Sequence, residues 1–363
     1  MPCLIDSDGR IMWDGLFIKL MSWIRPRRLE KDDKVAIVSP SSTIASVYPK
    51  ILKLGIRNIR RFFDLDPVIF PHATVSVEQG YLHPELRAQD LNSAFKNSKI
   101  KGIFSTIGGD ESIRILNHLD ESVINSFPKF YCGFSDCTTV TTYLARNKIC
   151  SVYGGAVMAG FAQMPNFPRE FATYWRKIMF EDSKGLKMKR FPAYSEGYPD
   201  WAKSGSDGSI NKPMKSYRWN WTVGDSMSGR ILAANIEVFD WMRGTKFFPQ
   251  TPMFDDSILL LETSEEMPSP VTVERLVRNL GMCGILERIN GLAFGRFRGY
   301  IKSRRKDVMK RVLRVLSAEF DCGDTPLVEG IDFGHTDPYF PIPVGVKARI
   351  ANDEIELLES FAK

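Results

Sequence analysis

The chain has 363 residues, of which 44% are hydrophobic and 25% are charged, a composition typical of a globular protein. This length is enough for two domains with separate cores. The net charge of +6 is small for such a chain and argues against a nucleic-acid-binding surface. Part of that charge lies in the basic run KSRRKDVMKRVLR at 302–314, which indicates an amphipathic helix with a solvated outer face.

The six cysteines form no C-x-x-C pair and have no histidine at metal-ligand spacing. This pattern is typical of reduced thiols, so we predict a cytoplasmic protein without a metal site. The apolar segment 15–24 is too short to span a membrane and lacks the order of a signal peptide. We therefore expect no membrane association and predict that residues 1–30 form an extension outside the fold.

Apolar segments alternate with amphipathic segments from position 34 onward. Strands are predicted at 34–40, 67–70, 100–109, 129–135 and 149–154. Helices are predicted at 46–63, 84–97, 111–119 and 137–147. This alternation predicts a parallel sheet covered on both faces, with a ligand site at the carboxyl ends of its strands. We assign residues 31–181 to a flavodoxin-like N-terminal α/β domain.

Residues 182–228 lose the helical period and are rich in Gly, Ser, Pro, Trp and Tyr. This composition predicts a linker that carries an inserted loop or hairpin. Trp201, Trp219 and Trp221 lie in this polar segment. They either anchor the loop on the protein body or form a stacking wall for an aromatic or nucleobase ligand.

Residues 229–363 contain a second set of alternating elements. Helices are predicted at 229–245, 271–286 and 304–320. Strands are predicted at 257–266 and 289–297, with further short strands between 326 and 359. We therefore predict a smaller C-terminal α/β domain with antiparallel edges, so the fold class is α/β throughout.

The stretch GFSDC at 133–137 joins a predicted strand to a predicted helix. Such a junction resembles a nucleophile elbow, in which a tight turn lifts a serine hydroxyl above the end of a sheet. Cys137 stands where the G-x-S-x-G pattern has its second glycine, so the pattern is half met. Ser135 is therefore either a catalytic nucleophile or a simple helix cap.

A serine nucleophile needs a base and an acid that orients the base. The candidate bases are His72, His83, His118 and His335. The Gly-flanked loop IDFGHTDP favours His335, because loops held by a rigid scaffold often carry function. Glu262 ends the buried strand of ILLLETSEE, where an acid needs a partner. The alternatives are a structural histidine and an internal ion pair or capping carboxylate.

The stretch TIGGDES at 106–112 ends another predicted strand with two glycines. Glycines let the backbone turn its N–H groups outward, as an oxyanion hole requires. A tight strand-to-helix turn is the simpler interpretation. The phosphate-binding pattern G-x-x-x-x-G-K-[ST] is absent from the sequence, which argues against a nucleotide hydrolase.

Taken together, these stretches resemble the LD-carboxypeptidase family, and most closely its branch of microcin C immunity proteins. The resemblance covers about 34–358. The matching stretches, in chain order, are KVAIVSPSS, IFSTIGGDES, GFSDCTTV, SGRILAANIEVF, ILLLETSEE and FGHTDPYFPIPVGVKARI. The chain departs from the family at Ala233-Ala234-Asn235, where members more often have Gly-Gly-Asn.

The resemblance implies a serine peptidase whose site lies between two α/β domains. By motif, Ser135 is the nucleophile, His335 the general base and Glu262 its orienting acid. The backbone N–H groups of Gly109 or Asp110, together with that of Asp136, would form the oxyanion hole. The family usually forms homodimers and uses no metal or other cofactor.

The tryptophan-rich insertion favours the immunity branch. Its members cleave the amide that joins an acidic residue to an acyl-sulfamoyl or phosphoramidate adenylate, and a tryptophan stacks on the nucleobase. The candidate substrate contacts are Trp201, Trp219, Trp221 and Asn235. The alternative is the murein branch, which removes a terminal D-residue from a tetrapeptide.

The same residues are compatible with two other classes of protein. One is a non-catalytic protein on the same fold that holds an adenylate or a peptide between its domains. The other is a thiol enzyme that uses Cys132 or Cys137.

Overall fold

A computed structural model describes residues 22–203 and 205–363, together with the backbone of three short strands that precede them. These strands pair antiparallel in the order β1-β2-β3, with the bounds β1 Leu4–Ile5, β2 Arg10–Trp13 and β3 Leu16–Lys19. The remainder of the first 21 residues lies outside the described part. Of the predicted extension at 1–30, the structure therefore describes mainly residues 22–30.

The end of that predicted extension lies against the fold. Ile24 forms a parallel bridge with Ile149. The backbone N–H of Arg28 donates to the carbonyl of Lys363, and that of Leu29 donates to the carbonyl of Met179. Leu29 is buried in the core. The chain from residue 24 to residue 29 is thus part of the folded body, which differs from the prediction of a segment outside it.

The N-terminal half builds a parallel sheet covered by helices, as predicted. Its strands are β4 Lys34–Val38, β5 Asp66–Ile69, β6 Ile100–Ser105, β7 Phe130–Gly133 and β8 Ser151–Tyr153. Its helices are α1 Pro49–Phe63, α2 Val77–Leu82, α3 Pro84–Lys96, α4 Glu121–Ser126, α5 Thr138–Arg146 and α6 Arg169–Phe180. The order β5-β4-β6-β7-β8 is the 2-1-3-4-5 order of flavodoxin-like sheets. The segment predicted as a helix at 111–119 is a 3₁₀ helix, Ser112–His118.

The rest of the chain forms the second α/β unit. Its strands are β9 Lys187–Lys189, β10 Ala193–Glu196, β11 Met214–Lys215, β12 Asn220–Val223, β13 Ser226–Asn235, β14 Ser257–Glu262, β15 Ile289–Gly295, β16 Leu327–Ile331, β17 Thr336–Asp337, β18 Ile342–Val344, β19 Lys347–Ala351 and β20 Glu354–Leu357. Its helices are α7 Ile236–Met242, α8 Pro270–Met282 and α9 Lys302–Arg314, the last continuing as a π-helical turn at Val315–Glu319.

The second sheet has eight strands in the order β12-β16-β15-β14-β13-β19-β20-β9. The central strands β13 to β16 are parallel, and the flanking pairs are antiparallel. The α/β class with antiparallel edges is therefore confirmed. The segment predicted as a linker at 182–228 supplies both edge strands, β9 and β12. Strands β10, β11 and β17 form a separate small sheet.

One predicted helix is wrong in its first half. The segment 229–245 was expected to be helical, but Ser226–Asn235 is strand β13, and the helix begins only at Ile236. The run Ile231–Asn235 is buried and pairs with β14, while Ser226–Arg230 of the same strand pairs with β19, as a central strand requires. A short apolar run of this kind does not distinguish a buried strand from a helix by its period.

Strand β18 joins the two units. It comes from the C-terminal part of the chain but pairs antiparallel with β8 of the N-terminal sheet. Strands β13 and β14, meanwhile, lie parallel and in register, so Asn235 is opposite Glu262 at their carboxyl ends. The carboxyl ends of both sheets thereby face one junction, where the predicted site residues lie.

Candidate active site

Ser135 lies in a strained turn at the carboxyl end of β7. Its backbone φ is 59°, in the left-handed region that residues other than glycine seldom adopt. The turn continues as a 3₁₀ helix over Ser135–Cys137 and then as α5. A Cβ at Gly133 would lie only 2.8 Å from the Cβ of Cys137, so glycine is needed there. This is the geometry of a nucleophile elbow.

The hydroxyl of Ser135 lies beside the ring of His335. The distance from His335 Nε2 to Ser135 Oγ is 2.9 Å, although 200 positions separate the two residues. The other ring nitrogen, Nδ1, lies 2.6 Å from Oε2 of Glu262. When Nδ1–H donates to the carboxylate, Nε2 is free to accept the hydroxyl proton. The side chains predicted to act together are therefore hydrogen-bonded in series.

Glu262 is held on its other oxygen as well. Its Oε1 accepts hydrogen bonds from the hydroxyl of Tyr153 at 2.6 Å and from Nδ2 of Asn235 at 3.1 Å. The same tyrosine oxygen accepts the backbone N–H of Ser135 at 3.0 Å. Tyr153 thus joins the serine turn to the carboxylate. The sequence signal was only a tyrosine at the end of a short strand, and the prediction missed it.

Negative charge surrounds the His335 ring. Burial alone would lower the pKa of His335, but Glu262, Glu265 and Glu237 outweigh that effect and raise the pKa to about 9. Glu265 is the nearest of these after Glu262, because its Oε2 lies 3.1 Å from Nε2. Glu265 was not among the predicted site residues.

The glycine turn of TIGGDES packs against the serine. A Cβ at Gly108 would lie 2.8 Å from Cβ of Ser135 and 3.1 Å from its Oγ. Gly109 has a φ of 144°, which only glycine adopts without strain. Within residues 22–203 and 205–363, the N–H groups of Gly109 and Asp110 have no hydrogen-bond acceptor. They are therefore available to a ligand.

The side chain of Asp136 braces this glycine turn. Its Oδ2 accepts the Ser41 hydroxyl and, at 2.7 Å, the backbone N–H of Ser112. Asp136 is buried, and burial raises the pKa of its carboxyl group. The Asp136 side chain is thus committed to this turn, and its backbone N–H is the group predicted to contact an oxyanion.

The predicted substrate contacts occupy different environments. Trp219 is buried and donates its indole N–H to Asp332 at 2.9 Å, which favours the anchoring interpretation. Asn235 is also buried, and its side chain caps α7 and contacts Glu262. Trp221 is half-buried on the edge strand β12. Trp201 is half-buried and stacks on Tyr198, with ring centroids 5.8 Å apart.

The other histidines and the thiols lie in different surroundings. His72 contacts Asp90, and His83 contacts Glu85. Cys132 and Cys137 are buried, and burial raises the pKa of both thiols, that of Cys137 to about 12. A thiol with so high a pKa is a poor nucleophile at neutral pH, which argues against the thiol-enzyme alternative.

Across residues 22–203 and 205–363, no group of three or more His, Cys, Asp or Glu residues could hold a metal ion. No helix there is long and apolar enough to cross a bilayer.

The junction of the two α/β units thus holds a hydroxyl, an imidazole and a buried carboxylate that are hydrogen-bonded in series. This is the arrangement of a serine-type hydrolase. The chain belongs to the LD-carboxypeptidase family of serine peptidases. The model of the family's N-terminal domain matches residues 35–154, and that of its C-terminal domain matches residues 228–350. The chain is thus a carboxypeptidase-like enzyme, as the resemblance implied.

Curated relatives and solved structures agree with this assignment. The Microcin C7 self-immunity protein MccF of Escherichia coli is 28% identical over 76% of this chain and 78% of its own length. A Bacillus subtilis protein named "Probable murein peptide carboxypeptidase" is 22% identical over 91% of this chain and 92% of its own. MccF in complex with aspartyl sulfamoyl adenosine superposes with a TM-score of 0.79, at 22% identity, over 94% of this chain and all of that one. At that identity, the structural likeness concerns the fold alone.

Proposed function

We propose that this protein hydrolyses an amide bond, with Ser135 as nucleophile, His335 as general base and Glu262 as the acid that orients the ring. The observation that carries the proposal is the pair of hydrogen bonds that link Oγ to Nε2 at 2.9 Å and Nδ1 to the Glu262 carboxylate at 2.6 Å. The strained φ of Ser135 supports the same role, because such strain concentrates at functional sites.

The reaction proceeds by an acyl-enzyme. His335 takes the hydroxyl proton as Ser135 Oγ attacks the carbonyl carbon, and the carbonyl oxygen becomes an oxyanion. The N–H groups of Gly109 or Asp110 and of Asp136 stabilise that charge, at about 3 kcal/mol for each donor. His335 then gives its proton to the leaving amine as the C–N bond breaks. In the second half, His335 takes a proton from a water molecule whose oxygen attacks the acyl carbon. The ester bond to Ser135 Oγ breaks, His335 returns the proton to Oγ, and the acyl group leaves as a carboxylate.

The proposed substrate class is an aminoacyl- or peptidyl-nucleotide. Its support is the likeness to MccF, which is named as an immunity protein and has been solved with aspartyl sulfamoyl adenosine. Trp201 and Trp221 are the indoles we propose for the nucleobase, because both are half-exposed whereas Trp219 is buried. The second candidate substrate is a murein tetrapeptide, favoured by the Bacillus subtilis relative. By the same family likeness we propose that the protein is a cytoplasmic homodimer. Sedimentation of the purified protein tests whether it forms a dimer.

A mass-spectrometric assay of both substrates side by side tests the proposal. Wild-type protein is expected to cleave aspartyl sulfamoyl adenosine faster than the tetrapeptide. Ser135→Ala should lose at least about 1,000-fold in kcat/KM while it keeps its fold, since the nucleophile supplies most of the rate. Ser228→Ala, a serine on the exposed side of β13, is the matched control and should remain fully active.

Two outcomes would contradict the proposal. Near-wild-type turnover by the Ser135→Ala variant would remove this residue as nucleophile. Failure of a serine-reactive phosphonate to label Ser135, together with tight binding of an uncleaved substrate, would favour a non-catalytic binding protein.

A further inference from the structure

A second carboxylate contacts the His335 ring at the nitrogen that faces the serine. Glu265 lies in the loop after β14, and its Oε2 is 3.1 Å from Nε2 of His335. The same nitrogen lies 2.9 Å from Oγ of Ser135, and Nδ1 on the opposite side of the ring is held by Glu262. The imidazole is thus placed between two carboxylates.

This contact opposes the state in which His335 is a base. A neutral imidazole that donates Nδ1–H to Glu262 presents a lone pair at Nε2, and the carboxylate of Glu265 repels a lone pair. A protonated ring donates from both nitrogens and satisfies both carboxylates. The free site therefore favours the imidazolium, which cannot accept the proton of Ser135. A group that neutralises or displaces Glu265 would restore the base.

The backbone position of Glu265 is fixed by its neighbour, Ser264. Oε1 of the buried Glu237, on α7, accepts both the N–H of Ser264 at 2.9 Å and its hydroxyl at 2.7 Å. The residue before Glu265 is therefore tied to the core. The Glu265 side chain itself is 58% exposed and can turn toward a ligand.

The remaining charged groups near the ring do not offer this contact. Glu237 is committed to Ser264, and Asp337 on β17 is buried, where burial raises its pKa to about 7. Arg298, in the turn after β15, is the nearby cation whose charge acts on both Glu265 and Asp337. Glu265 is therefore the exposed carboxylate beside the reacting atoms, among the residues that the structure describes.

We propose that Glu265 is a specificity-determining residue that selects acyl groups with a cationic substituent next to the scissile carbonyl, as a free α-ammonium group is. The inference rests on the proposed function and deepens it. An acyl carbon bound to Ser135 brings its α-substituent within a few ångströms of Nε2, where Glu265 already lies. An ammonium there pairs with the carboxylate and frees the ring, whereas a blocked, neutral amine leaves the contact with His335 in place.

Two diphenyl α-aminophosphonates test this selection without a known substrate. One carries a free α-amine and the other is its N-acetyl derivative, and both form a bond from phosphorus to a serine Oγ with loss of phenol. The rate of Ser135 labelling is measured by mass spectrometry for each probe. The ratio of the free-amine rate to the acetylated rate should fall roughly fivefold or more in Glu265→Gln.

The matched control is Glu266→Gln, which removes the same charge from the adjacent exposed residue and should leave the ratio unchanged. The pH at which labelling reaches half its maximum should fall in Glu265→Gln but not in Glu266→Gln, a shift that a merely structural role would not produce. An equal ratio in wild type and Glu265→Gln would overturn the inference while the nucleophile stands. No labelling of Ser135 by either probe in any variant would overturn the proposed function and the inference with it.

Discussion

At the scale of single side chains, Glu262 has more hydrogen-bond partners than the other proposed catalytic residues. A buried carboxylate is costly unless several donors compensate it. Here His335, Tyr153 and Asn235 together supply those donors. The carboxylate is fixed on both oxygens, so it presents one lone pair to the ring in a single direction. The orientation of His335 therefore follows from groups on three different strands and a loop.

The first prediction concerns pH. Because Glu262 and the neighbouring acids raise the pKa of His335 to about 9, most of the free protein holds this ring protonated at neutral pH. Only the neutral ring can act as base, so kcat/KM should rise with pH and level off above about pH 9. Glu262→Gln removes the strongest source of the raised pKa of His335. The residual kcat/KM of this variant should therefore begin to rise at a lower pH than that of the wild type.

A pH–rate profile of the phosphonate labelling or of hydrolysis checks this expectation. Glu287→Gln removes an exposed acid elsewhere on the surface and serves as the control. A wild-type limb near pH 6.5, the value of an unperturbed histidine, would contradict the electrostatic account.

At the scale of elements, the loop that follows β16 carries His335 past Glu262 at close range. Gly334 has a φ of 94°, and a Cβ there would lie 2.7 Å from both Cβ and Oε2 of Glu262. Glycine is therefore required for two reasons, backbone conformation and space. The sequence FGH thus reports a close approach of loop to strand, and not merely a flexible turn.

The second prediction separates those two reasons. Gly334→Ala should lose at least about 10-fold in kcat/KM, because the new methyl group displaces the carboxylate that orients His335. Gly185→Ala is the matched control, since Gly185 has a φ of 79° but open space around its Cβ position. Both variants should lose about 1–2 kcal/mol in the free energy of unfolding from backbone strain.

Chemical denaturation and steady-state kinetics of both variants measure these effects. Full activity in Gly334→Ala would mean that the loop adjusts without moving Glu262. Loss of activity in Gly185→Ala would mean that strain alone disturbs the site.

At the scale of the whole molecule, the two units are joined by one strand from the C-terminal part of the chain that pairs with the N-terminal sheet. Strand β18 belongs to the C-terminal part of the chain, yet Ile342 pairs with Tyr153 at the end of β8. Tyr153 in turn contacts Glu262 of the second sheet. The site is therefore complete only when both units are folded and docked.

The third prediction is that the two units unfold together. Ile342→Ala should lower the free energy of unfolding by about 2–5 kcal/mol and leave a single transition, because Ile342 is fully buried at the junction. Ile69→Ala, at an edge of the same sheet with 43% exposure, should cost less than about 0.5 kcal/mol. Near-ultraviolet dichroism and residual activity should follow the same curve, and two separated transitions would contradict the prediction.

Local patterns in the sequence were enough for the α/β class, the flavodoxin-like half and most of the helices and strands. Period and turn residues are properties of neighbouring positions, and they also marked Ser135, His335 and Glu262 as candidates through short motifs. The helix expected at 229–245 failed because its strand is defined by β14 and β19, which come from distant segments. The same limit applies to the edge strands β9 and β12.

What tertiary structure alone decided is which distant groups touch. The sequence contains no measure of the 3.1 Å between Glu265 and His335, nor of the path from the Ser135 N–H through Tyr153 to Glu262. These contacts arise where the carboxyl ends of two sheets meet, and that meeting depends on how β18 and β13 are paired. Motifs name the candidate reactive side chains, whereas the charges and hydrogen bonds that adjust their pKa values depend on distances between segments, which only packing sets.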